Sequence, residues 1–161
     1  MRFFATRWQW FAVLALIIAI FVVMPQDWWH GNHLPSAVVT TLQQADHFEL
    51  LSLDPKLQSF PEEDSFHGYG ILSRVTISDA NTRKRLISAL RRGMRENSDT
   101  IAACFHPRHG IRAVRKGKEA DLVICFECLQ IQLFGDVQGE FLVSDSPQAF
   151  FDETLKAGRP R

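Results

Sequence analysis

The hydrophobic pattern divides the chain into one uninterrupted apolar run followed by a longer region of alternating short periods. From Trp8 to Met24, WQWFAVLALIIAIFVVM, there is no charge, no Gly and no Pro, and Gln9 is the one polar residue. Seventeen such residues at helical rise span roughly 25 Å, enough for a bilayer core. Trp8 and Trp10 stand at one end and Trp28 and Trp29 at the other, where indole rings favour the membrane interface. The pattern therefore predicts a transmembrane anchor over 8–24. A cleaved signal peptide is the rival, but no small-x-small site follows the run. The Pro- and Gly-containing stretch 25–35 reads as linker, and 36–161 as a single globular domain.

Within that domain the periods alternate between helix and strand. Ser36 to about Ala45 predicts a short helix, and Phe48 to Leu53 a strand stopped by Asp54-Pro55. A loop follows, and Tyr69 to Ser78 returns to strand. Leu86, Ile87, Leu90 and Met94 recur at spacings of three and four behind Ser78 or Asp79 as N-cap, predicting a helix that ends near Asn97. From Thr100 the pattern is β: IAACF, a break at HPRHG, IRAVR, a hairpin turn at KGKE, and the run DLVICFECLQIQLF. A turn over 135–140, a short strand over 140–144 and a helix starting at Ser146-Pro147 and ending at Gly158 complete the order. The expected fold is α+β: a mostly antiparallel sheet with helices packed on one face, preceded by one N-terminal transmembrane helix.

Charge adds orientation. Arg2 and Arg7 precede the apolar run and no Lys or Arg follows until Lys56. Residues 1–7 are thus expected in the cytoplasm and the domain in the periplasm or outside the cell, tethered to the inner membrane as a single-pass protein. After residue 25 there are 16 basic and 18 acidic side chains, a balance that argues against a nucleic-acid partner. The signs are segregated: residues 83–118 hold eleven basic and two acidic side chains, 119–153 eight acidic and none basic. The hairpin brings these stretches together, which points to cross-strand ion pairs. The basic side of the predicted helix, Lys84, Arg85, Arg91, Arg92 and Arg95, reads as a solvated face.

The candidate chemistry lies in Cys104-Phe105-His106-Pro107-Arg108-His109-Gly110 and Cys125-Phe126-Glu127-Cys128. Cys104, His109, Cys125 and Cys128 are the residue types of a zinc site, although a strand places residues three apart on opposite sides. A disulfide from Cys104 to Cys125 or Cys128, plain buried thiols, and a redox-active dithiol are the alternatives. His106, Arg108, His109 and Arg112, brought near Glu127 by the hairpin, form a candidate binding site for a small anionic ligand or a protein, with an Arg108 or Arg112 salt bridge to Glu127 as the structural alternative. No GxSxG, HExxH, phosphate loop or dinucleotide fingerprint is present. The expected function is a membrane-tethered extracytoplasmic binding or interaction domain without a cofactor. The alternative is a metal- or thiol-dependent enzyme using the Cys/His cluster.

Four stretches, LLSLDP, FHGYGIL, CFHPRHG and DLVICFECLQ, carry a resemblance. The chain resembles, over residues 48–134, a family of uncharacterised bacterial membrane-anchored proteins with CF-x-PRHG and DLVICFECLQ motifs. The resemblance implies no activity, since none is assigned to that family.

Overall fold

The computed structural model describes residues 32–57 and 61–158. The elements run α1 (Ser36–Gln43), β1 (His47–Leu57), β2 (Ser65–Phe66), β3 (Tyr69–Thr76), α2 (Ala80–Glu96), β4 (His109–Arg115), β5 (Lys118–Cys125), β6 (Gln130–Gly135), β7 (Gly139–Leu142) and α3 (Gln148–Ala157), with a 3₁₀ turn at Glu62–Asp64. The seven strands form one antiparallel sheet in the order β2-β3-β1-β4-β5-β6-β7. β3 and β4 flank β1 and run in the same direction, so their link must cross over, and α2 supplies the crossing.

Alternation along the strands sorts two apolar faces. Phe48, Leu50, Ile111, Ala113, Leu122, Ile124 and Leu133 meet Val38 and Leu42 of α1, Leu86, Ile87, Leu90 and Met94 of α2, and Phe151 and Leu155 of α3 in one buried cluster. α2 forms where its stripe predicts, with the Asp79 carboxylate accepting from Thr82 N–H at 2.7 Å as N-cap. On the opposite face Leu51, Leu53, Phe66, Tyr69 and Val123 make a smaller cluster, against which Phe105 and Phe134 pack half-buried. This outer face is where the polar groups of interest gather.

Three boundaries differ from the sequence reading. β1 continues through Asp54-Pro55 to Leu57. Its register against β3 slips between Leu53 and Leu57, and β4 has begun pairing only at Ser52, so Pro55 sits in a bulged stretch that requires no donor from it. Residues 101–108 are not a strand. The run 121–134 is two strands, because residues 126–129 turn and reverse the chain.

The expected membrane anchor is corrected. Among the described residues no helix is long and apolar enough to cross a membrane. α1 has 8 residues and α3 has 10, and the 17-residue α2 carries six Lys and Arg side chains along its length. The segment 8–24 lies outside the described residues. The transmembrane part of the expected fold, the membrane as partner, and the inner-membrane, single-pass placement with a periplasmic or extracellular domain all rested on that helix and find no support among the described residues. Among the described residues the architecture is an α+β domain with a seven-stranded antiparallel sheet and three helices.

At the far edge of the sheet Asn32 takes the place of a further strand. Its Oδ1 accepts from Leu142 N–H at 2.7 Å, and its Nδ2 donates to Leu142 O at 2.8 Å and Met94 O at 2.7 Å. β7 is thereby fastened to the C-terminal end of α2.

Candidate functional site

The two cysteine-bearing segments meet where β4 begins and β5 ends. β5 pairs with β6 up to Cys125 opposite Gln130, and the four residues between them reverse the chain with Leu129 N–H donating to Phe126 O at 3.2 Å. Leu129 adopts φ +61°, a conformation that sequence rules reserve for Gly or Asn. Cys125 and Cys128 close the base of this turn in a disulfide, Cα to Cα 5.1 Å. Segment 102–106 lies along the turn. Ala102 N–H donates to Cys128 O at 3.2 Å, His106 N–H donates to Cys128 Sγ at 3.1 Å, and His106 O lies 3.3 Å from Cys125 Sγ. Gln130 Nε2 adds a bond to Ala102 O at 2.8 Å. These contacts order a segment that has no regular structure of its own.

The result is an open cleft of about 560 Å³ lined by Pro55, Lys56, Phe105, His106, Arg108 and Glu127. That volume falls within the range of small-molecule sites. Arg108 Nε stands 3.4 Å from Glu127 Oε1, with both side chains more than half exposed. Such a pair contributes under about 1 kcal/mol and opens readily to a competing partner. Arg108 O accepts from Leu53 N–H at 3.0 Å, so the main chain beneath the guanidinium is pinned to the sheet.

No known protein family, curated protein or solved structure matches this chain.

The structure brings three of the five candidate binding residues together in the open cleft, His106, Arg108 and Glu127; His109 borders them at a small adjoining recess, and Arg112 stands apart. His109 faces the helices, side chain 4 % exposed, with Nε2 2.9 Å from Asp152 Oδ1 of α3 and its ring edge-on to Phe126 and Phe151. Arg112 lies on the outer face opposite Asp121, Nε to Oδ2 3.9 Å, and makes no pair with Glu127. The strand period decides this: 109 and 112 are an odd number apart and take opposite faces.

The metal reading is overturned, as are those that leave Cys125 and Cys128 as free thiols or pair either of them with Cys104. Cys125 and Cys128 are joined to each other and not to Cys104, which is a free, exposed thiol. His109 is occupied with Asp152, and among the described residues no group of three or more His, Cys, Asp or Glu could hold a metal ion. A zinc-dependent or thiol-dependent enzyme built on Cys104, His109, Cys125 and Cys128 thus lacks its constellation. Sequence reasoning also missed Lys56 and Phe105, which line the cleft. The bulge that carries β1 past Pro55 to bring Lys56 there leaves no signature except Asp54-Pro55 itself.

Burial pushes the His109 imidazole below its ordinary pKa, outweighing the opposing pull of the Asp152 hydrogen bond and charge. The 2.9 Å contact is then a neutral N–H donating to a carboxylate. Because the folded pKa lies below the unfolded one, the unfolded chain binds more protons once pH drops below about 6.5. His109 therefore contributes stability that is full above that pH and is lost as pH falls toward the folded value. Urea midpoints for the wild type and His109→Gln, measured from about pH 7.5 down to 5, should converge as pH falls. Parallel curves would show that His109 carries none of this dependence.

Proposed function

We propose that this chain is a small-molecule binding domain whose cleft takes a ligand with an acidic group, a carboxylate or a phosphate, on an aromatic or apolar body. The observation that carries the reading is the convergence of Lys56, His106 and Arg108 on one open cleft against a single carboxylate, Glu127. The excess of positive groups favours an anion. Arg108 offers the planar fork that matches carboxylate or phosphate oxygens, and its loose pair with Glu127 can be exchanged for a ligand without leaving a buried charge behind. Phe105, packed on Tyr69 at 6.3 Å between ring centroids, gives the apolar body of the ligand a rigid wall.

Titration of the full chain with benzoate and with phenyl phosphate, followed by amide chemical shifts, tests this. Saturable shifts at millimolar concentration confined to Lys56, Phe105, His106, Arg108 and Glu127, weakened by added salt and abolished in Arg108→Gln, are expected. Shifts that ignore the Arg108 substitution, or none at all, would remove the cleft as an anion site.

A further inference from the structure

A second group of polar side chains occupies the middle of the outer sheet face and shares no residue with the cleft. Glu49, Arg112, Asp121 and Phe134 are directly opposite one another on β1, β4, β5 and β6, one rung across four strands. Asp121 sits mid-strand with its side chain only 10 % exposed. Its Oδ2 lies 2.9 Å from His67 Nε2 and 3.9 Å from Arg112 Nε, while its Oδ1 is buried and has no hydrogen-bond partner among the described residues. A buried carboxylate oxygen without a donor is rare in a folded chain and calls for an explanation.

His67 reaches Asp121 across 54 residues from the turn between β2 and β3. Phe66 pairs with Tyr69, so His67 and Gly68 form a two-residue turn with φ +51° and +88°. Histidine is, with Asn and Asp, one of the side-chain-bearing residues that accept positive φ, so the turn can present a ring here. The ring is held firmly: it stacks on Phe134 at 4.0 Å and 10°, and meets the edge of Phe66 at 4.6 Å. The Arg112 guanidinium lies over the other ring of that pair, 5.0 Å from the Phe66 centroid. His67 and Arg112 are 28 % and 33 % exposed. An orphaned carboxylate oxygen and a fixed imidazole thus coincide at one solvent-reachable point.

We propose that His67 and Asp121 are a general-base dyad that hydrolyses small carboxylic esters, with Arg112 stabilising the oxyanion. With Nε2–H given to Asp121, the tautomer is fixed and Nδ1 carries the lone pair. Nδ1 takes a proton from water as the water oxygen bonds to the ester carbonyl carbon, and the carbonyl π pair moves onto its oxygen beside Arg112. When the carbonyl reforms, the bond to the alkoxy oxygen breaks and that oxygen takes the proton from Nδ1. Water and ester become acid and alcohol, with the ring returned to neutral. Asp121 exchanges no proton; its charge steadies the imidazolium, so it is a positioning residue. One guanidinium matches the single charge of this oxyanion. A phosphate dianion would instead meet Glu49 on the neighbouring strand, whose carboxylate has His47 Nε2 at 3.3 Å.

The test uses the full chain and p-nitrophenyl acetate. His67→Asn removes the base but places in the turn a residue that accepts positive φ, so the hydrolysis rate above buffer should fall about 100-fold in a chain that still unfolds cooperatively. Asp121→Asn should lower kcat about tenfold or more with KM unchanged, the mark of an interaction made in the transition state. A wild type no faster than His67→Asn overturns the proposal. So does a His67→Asn variant that loses stability but not rate, since His67 would then serve the fold alone.

Discussion

Replacing Phe151 with alanine is expected to destabilise the domain by about 3–5 kcal/mol, the cost of removing a fully buried aromatic ring and leaving a cavity. Phe151 is completely buried on α3, and its centroid lies 5.2 Å from Phe126 and 6.0 Å from His109. Phe126 is the first residue of the turn that presents Glu127 to the cleft, so the same cavity removes the support beneath the site. The measurement is a urea transition: the midpoint should fall with the slope unchanged, and affinity for benzoate should fall with it. Phe151→Leu keeps most of the volume and should retain most of both. A loss under about 1 kcal/mol for the alanine variant would mean that the turn and helix repack freely, contrary to the density of protein cores.

Gly135→Ala should cost about 2–6 kcal/mol, the sum of a strained backbone and a blocked contact. Gly135 has φ +113°, and a Cβ there would stand 2.4 Å from the main-chain oxygen of Glu119, which cannot move without breaking its place at the start of β5. Gly117 provides the control. It has φ +76° in the turn between β4 and β5 but nothing within 4 Å of its missing Cβ, so its alanine variant should lose only the strain part, about 1–2 kcal/mol. Equal losses at the two positions, read from thermal unfolding, would show that the close approach to Glu119 contributes nothing.

Local signals carried the parts of the fold that are local. The 3.6-residue stripe and Asp79 placed α2, and Lys116-Gly117, with φ +50° and +76°, is the turn that KGKE predicts. What escaped was decided by contacts distant in sequence or by conformations that residue type hides. The turn at 126–129 has no Gly, Pro or Asn, and the left-handed residue is Leu129, so the stretch reads as continuous strand. The two sulfurs that made that strand an awkward metal site are brought to one side by the reversal, and they bond to each other. Arg112 was grouped with Glu127 because spacing alone does not reveal the register, which sets it opposite Asp121. The pairing of His67 with Asp121 had only one local trace, a His-Gly between two aromatic residues.

Asn32 bears on how copies of the chain treat one another. A sheet edge with open N–H and C=O groups is a template for a strand from a neighbouring molecule, and β7 is such an edge. By satisfying both main-chain groups of Leu142 with one side-chain amide, Asn32 shortens the usable edge of a four-residue strand to its other half. Over that half of the edge a single asparagine does the work of a covering helix: it leaves fewer open main-chain groups for a strand of another molecule to pair with.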